Sequence, residues 1–478
     1  MRKALGVLVS LVMLAALGVP ALAQEPGGSS LGDSYYPELG NSGYDVQHYL
    51  LDLTVDVLEN YLDGQATITA VATQDLSSFN LDFWGLEVAE VLVNGEPASV
   101  TREDIEMTIT PASPLPADVP FEVVVRYSGN PGPVQTPAIP IQMGWNHLGS
   151  IIVTASEPVG SASWYPVNEH PLDKATYTLR VTVPEPYMVA ANGLLVETVD
   201  NGDTLTYVWE NDDPTASYLV TANIGEFELH EQEGPDGLPI RNYFPPEVYD
   251  LAVHDFERTP EMIALYNELF GPYPFDVYGA VVVNWPLGFA LETQTLSIFG
   301  LRHVDGQRSS ETTIAHELVH QWFGDAVSLA DWSDIWLNEG FATYGSFLWA
   351  EHERGSEYFN AQMREIYGLL AVAQFRLMPP GSPSPNDLFT GSVYVRGAMT
   401  LHALRQKLGD DLFFELLRTY FETYKYSNAT TEDFIALAEE VSGQDLADFF
   451  DEWLYQMPLP AIPELGWNAS EAARSQGG

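Results

Sequence analysis

The segment His316-Glu317-Leu318-Val319-His320 sets two imidazoles one helical turn apart, with a carboxylate beside the first. On a helix, residues i and i+4 share a face, so both histidines can point at one metal ion. Glu317 lies off that face, where it can reach a water in an open coordination position rather than the ion itself. A zinc site of this kind needs a third nitrogen or oxygen ligand from elsewhere and a fourth place left to water. Glu339, within Trp336-Leu337-Asn338-Glu339-Gly340-Phe341-Ala342, fits the third role, with eighteen residues between it and His320. Two neutral ligands and one anion suit one Zn2+ per chain, and Glu317 is then placed to act as a general base in hydrolysis.

Two helices must position these groups. Ser309-Ser310-Glu311 offers an N-cap and an acidic first turn before a helix predicted over 312–323. The aromatic and apolar stretch 334–351 reads as the second, stopping near Gly355. Upstream the pattern has period two: Tyr49, Leu51, Leu53, Val55 and Val57 alternate with polar residues, as do Tyr177, Leu179, Val181 and Val183. Strand-length runs separated by Gly, Pro and Asn continue to about Phe227. The fold class expected is therefore multidomain α+β, with an N-terminal all-β sandwich-like or saddle-like domain before a mainly helical one. The expected divisions are a signal peptide over 1–23, a flexible leader over 24–43, a β domain over 44–231, a catalytic domain over 232–462 and a frayed polar tail over 463–478. Within the catalytic part, 248–270 reads as one helix stopped by Gly271-Pro272. The Pro-rich stretch 377–390 reads as a loop near the site, and Thr430 with Asp433 as a capping box.

The zinc motif, Trp336–Ala342 and the flanking segments resemble the zinc aminopeptidases that pair H-E-x-x-H-x18-E with a G-x-M-E-N-type motif, the aminopeptidase N and leukotriene A4 hydrolase family. The resemblance runs from about Tyr44 to Pro460 and is strongest over 313–325, 332–344 and 393–404. It implies a thermolysin-like catalytic domain. It also implies that Glu292, in Phe289-Ala290-Leu291-Glu292-Thr293, grips the α-amino group of the substrate. Here Phe289 stands for the family's first Gly and Thr293 for its Asn. Thr154-Ala155-Ser156-Glu157-Pro158 resembles the family's T-Q-x-E-P segment, which makes Glu157 a second amine contact. Tyr394-Val395-Arg396-Gly397-Ala398 resembles Y-x-K-G-A and makes Tyr394 the transition-state tyrosine. Carboxylates beside a metal can pair with an ammonium, and a phenol can donate to a developing oxyanion. Many members of the family continue into further domains over the site; a more open site is expected here.

The activity expected is removal of N-terminal residues from peptides with a free amine. A zinc endopeptidase and an epoxide hydrolase would use the same metal site. A catalytically inactive peptide-binding module is the alternative of another class, disfavoured by the presence of ligands, base and tyrosine together.

Composition limits partners and location. The chain of 478 residues has 67 acidic and 19 basic residues, for a net charge of −48. Such a charge argues against nucleic acid and against anionic membranes as partners. Arg2 and Lys3, the apolar run 5–17 and Ala21-Leu22-Ala23 have the order of a cleavable secretory signal, so a secreted protein without stable membrane insertion after cleavage is expected. With no cysteine, disulfides, thiolate ligands and a thiol nucleophile are all excluded.

Overall fold

A computed structural model describes residues 25–136, 138–285 and 287–476. The expected signal peptide at 1–23 lies outside the described residues. The alternation seen in the sequence becomes an eight-stranded sheet. Tyr44–Asp56 pairs antiparallel with Tyr61–Ala72 and parallel with Ala175–Pro184. Each strand turns every second side chain inward. Leu51, Leu53, Ile68, Val125 and Val181 are fully covered, in one core shared with residues of a five-stranded and a four-stranded sheet. The resulting apolar core runs without a break into the next part of the chain, through Val281, Val283 and Ile298.

Those three residues belong to a second four-stranded sheet, ordered Glu228–Glu233, Pro239–Phe244, Tyr278–Val283, Ser297–Gly300. Its other side is covered by helices, and a separate core containing Trp322, Trp336, Phe341 and Tyr420 lies among them. The β-rich half followed by a helical half matches the expected fold class. The predicted helix over 248–270 is two helices, Tyr249–Phe256 and Thr259–Phe270, because Pro260 starts a new helix rather than continuing the old one. The Thr430–Asp433 capping box forms as expected.

Two terminal segments differ from expectation. Residues 25–43 are not a free leader but a strap across both halves. Glu25–Pro26 pairs with Leu76–Asp82. Asp33 is buried and accepts from the N–H groups of Tyr35, Tyr36 and Trp332 at 2.7–2.8 Å, with His170 Nε2 at 3.2 Å. The Tyr35 and Tyr36 hydroxyls donate to the carbonyls of Pro383 and Pro385. A Gly- and Ser-rich composition missed this because the anchors are a few polar side chains acting at long range. The tail is likewise ordered: Ala469–Gln476 is helical and packs on Ser356–Ala373, with Trp467 against Tyr367. Among the described residues no helix is long and apolar enough to cross a membrane.

Asp33→Ala would orphan one buried and two partly buried N–H groups at the junction of the two halves. It is expected to destabilise the fold by about 2–4 kcal/mol, read as a lowered midpoint in chemical denaturation. An unchanged midpoint would show that the strap adds no stability.

Candidate active site

The histidine helix runs Glu311–Val319, shorter than predicted, and His320 is its C-terminal cap. The chain leaves the helix in a turn through Gly324, whose φ of 137° few other residues adopt. The glutamate helix, Trp336–Arg354, lies antiparallel against it: Trp349 Nε1 donates to Glu311 at one end, and Glu339 meets both histidines at the other. The close crossing depends on Gly345, where a methyl group would sit 2.5 Å from Val319 Cγ2.

His316 Nε2 stands 3.2 Å from Glu339 Oε2 and 3.1 Å from His320 Nε2, and His320 Nε2 stands 3.5 Å from Glu339 Oε2. Two donors about 2.0–2.2 Å from a tetrahedral ion lie roughly 3.3–3.6 Å apart. The triangle therefore has the size of one face of a zinc tetrahedron, and its two nitrogens and one oxygen are ordinary zinc donors. The far ring nitrogens are held by other groups. His320 Nδ1 is 3.2 Å from the Phe323 carbonyl and His316 Nδ1 is 3.5 Å from Thr343 Oγ1. Such contacts fix ring orientation and leave Nε2 free to face the ion.

Glu317 is buried beside the triangle, on the cavity wall. Glu292, Glu317 and His320 have ligating atoms within 4.8 Å of one another. Glu157 lies in the same cavity, a space of about 440 Å³. Glu157 Oε1 and Glu292 Oε1 are buried without a hydrogen-bond partner. Burial pushes the Glu157 carboxyl well above its usual range, and Glu292 pushes it further. Burial also raises Glu317 and Glu292, which the His320 imidazole partly counters. Burial alone would raise Glu339 too, but the bonds from His316 and His320 outweigh it and hold that carboxyl at about 2. A dication at the triangle would favour the ionised form of every carboxyl around it.

Tyr394 sits in a π-helical turn, Ser392–Arg396, and stacks on His316 with ring centroids 5.9 Å apart. Its phenol is raised well above 10 by burial and by the Glu339 charge, so it stays protonated. The turn is held by two devices. Gly397 touches Gly340 backbone to backbone, leaving 3.0 Å where either would carry a methyl group. Arg396, buried, donates to the carbonyls of Glu452, Trp453, Gln456 and Met457.

All seven residues singled out from the sequence thus face one cavity: His316, Glu317, His320, Glu339, Glu292, Glu157 and Tyr394. Gln321 was not anticipated. Its amide donates to the Glu292 carbonyl and accepts from Thr295 N–H, so it clamps the loop that carries Glu292. Its place directly after the second histidine was the available signal.

Comparison with known proteins extends this picture. Residues 254–453 match the Peptidase family M1 domain and residues 45–219 the Peptidase M1 N-terminal domain. Human glutamyl aminopeptidase is 29% identical over 334 residues, 66% of this chain and 35% of the relative. The chain thus spans about a third of the length of the curated relatives it resembles. A solved M1 zinc metallopeptidase from Deinococcus radiodurans is 32% identical, with a TM-score of 0.82 over 91% of this chain and 98% of that one. A mutant from the same organism, solved with a Tyr-Ser-Ala substrate, is also 32% identical, with a TM-score of 0.81 over 91% and 99% of the two chains.

The purified protein is expected to hold about one zinc ion per chain by elemental analysis. Glu339→Ala should lose it, because an anionic ligand is removed, whereas Glu317→Gln should keep it. Zinc retained in full by Glu339→Ala would take Glu339 out of the ligand set.

Proposed function

This chain belongs to the M1 peptidase family, whose members use one catalytic zinc, and from that premise we propose that it is an aminopeptidase acting on peptides with a free N-terminus. The observation that carries the reading is the pair Glu157 and Glu292, buried and with unpartnered oxygens on the wall of the zinc cavity. Two dehydrated carboxylates with nothing to neutralise them form a receptor for an ammonium group. An endopeptidase has no use for them.

His316, His320 and Glu339 would hold the ion. When bound, zinc lowers the pKa of water and polarises a carbonyl. The chain's own groups do the rest. Glu157 and Glu292 bind the α-ammonium, which fixes the first peptide bond at one distance from the triangle. Glu317 takes a proton from the attacking water and returns it to the leaving amine. The Tyr394 phenol donates to the oxygen that becomes negative as the carbonyl carbon turns tetrahedral. Export, expected from residues 2–23, is part of the same proposal.

The cavity also points to a class of first residue. Met143 and Phe289 line it close in sequence or strand pairing to the two amine carboxylates, with Ile139 and Phe389 completing an apolar wall. Among the described residues no lysine or arginine lines it. With zinc and the α-ammonium bound the four carboxyls still leave the cavity net negative, so an acidic first side chain would meet an unfavourable charge that no lysine or arginine offsets. The preference in the name of the human relative is therefore not carried over; apolar first residues fit this site.

N-acetylated peptides are expected to be cut at least roughly a hundredfold more slowly than free ones, since acetylation removes a charge-assisted pair contributing on the order of 2–3 kcal/mol and adds bulk. Glu292→Ala should narrow that gap. Internal cleavage of blocked peptides at the rate of free ones would replace the aminopeptidase with an endopeptidase on the same metal site. Glu317→Gln should reduce turnover at least about a hundredfold, and near-normal turnover would remove it as the base. Leucyl anilide should exceed glutamyl anilide in kcat/KM by about tenfold or more, the scale of one uncompensated charge; the reverse order would end the apolar assignment.

A further inference from the structure

The two site helices run past the zinc triangle in opposite directions, and this gives the cavity a readable axis. Glu292 and Glu317 gather at the His320 end. Moving away from them, the histidine helix presents His316 and then, one turn earlier in the chain, Thr312 and Thr313. The antiparallel partner presents Glu339 and then, two turns later, Ser346 and Phe347. Thr343 beside His316 and Trp349 beside Glu311 fix that order. A peptide whose ammonium sits on Glu157 and Glu292, with its first carbonyl at the triangle, must therefore send its remaining residues toward Thr312, Thr313 and Phe347.

At that end the third helix, Ser356–Ala373, brings in Gln362. Its Oε1 is buried, lines the cavity and has no hydrogen-bond partner. The neighbouring Ser346 hydroxyl is already committed to the Thr343 carbonyl. A buried amide oxygen without a partner is unfavourable unless a donor arrives to satisfy it. A glutamine amide both donates and accepts, which is the complement of a peptide unit.

We propose that Gln362 binds the main chain of the substrate on the leaving side of the scissile bond. The inference rests on the aminopeptidase reading for the direction of the peptide, and it deepens that reading. The site recognises a peptide continuing beyond its first residue, not only an aminoacyl group. Gln362 is a binding residue and takes no part in proton transfer.

The test compares two substrates with the same first residue, Leu-Gly-Gly and leucine p-nitroanilide. The first has main-chain N–H and C=O groups on the leaving side, and the second has an aromatic ring there. Gln362→Leu should reduce kcat/KM on Leu-Gly-Gly about tenfold, the scale of one or two lost hydrogen bonds. On the anilide it should change by less than about twofold, with zinc content unaltered. Gln362→Met, closer in length to glutamine, repeats the measurement should the leucine variant fold poorly. Equal losses on both substrates, or an unchanged rate on Leu-Gly-Gly, would overturn the assignment. Wild-type protein that cleaves neither substrate would instead overturn the aminopeptidase reading beneath it.

Discussion

Everything in the catalytic half is arranged around one anion held between two imidazoles. Glu339 can stay ionised in a buried place because His316 and His320 converge on it. That convergence requires two helices to cross more closely than ordinary side chains permit. Gly345 against Val319 sets the crossing, and Gly340 against Gly397 brings the tyrosine turn up against the glutamate helix. Helix contacts of this kind leave no slack, since packed interiors do not absorb an extra methyl group without moving backbone. The positions of ligands, base and phenol are thus consequences of backbone approach rather than of flexible side chains reaching inward.

The electrostatics follow from the same crowding. Four carboxyls, Glu157, Glu292, Glu317 and Glu339, share one cavity. Three of them are pushed toward the neutral form by burial. Under the proposed function, a dication and one ammonium leave a single negative charge, the charge that Glu317 discharges when it accepts a proton. Substrate binding and readiness of the base are then linked, because the ammonium occupies the carboxylates that would otherwise oppose ionisation of Glu317.

Much of this was legible in the sequence, for identifiable reasons. The metal-site spacing is local geometry: i and i+4 on a helix meet whatever surrounds them. The β half was legible because period-two burial repeats over long strands such as Tyr44–Asp56. Helix ends were less so. The histidine helix stops at Val319, not near 323, because the chain must turn at Gly324 to let His320 face inward. The strap over 25–43 was misread since its order comes from Asp33 and two tyrosine hydroxyls meeting partners 299 to 349 residues away in the chain. Gln362 was invisible for a related reason, and Gln321 was marked only by its place after the second histidine. A single glutamine has no period and no spacing, and its meaning arises only from what the fold leaves unsatisfied around it.

The lack of lysine and arginine among the described residues lining the cavity has a further consequence when set beside the whole chain, which carries 67 acidic and 19 basic residues. A negative surface around a negative concavity focuses the field at its mouth. Positively charged peptide ends drift toward such a mouth faster than diffusion alone would bring them. Salt shortens the reach of that attraction, to about 10 Å at 0.1 M. Bond breaking inside the cavity is shielded from the bath and keeps its own pace. Ionic strength therefore acts as a separate control on this molecule, setting how often peptides are captured and leaving how fast they are cut to the geometry within.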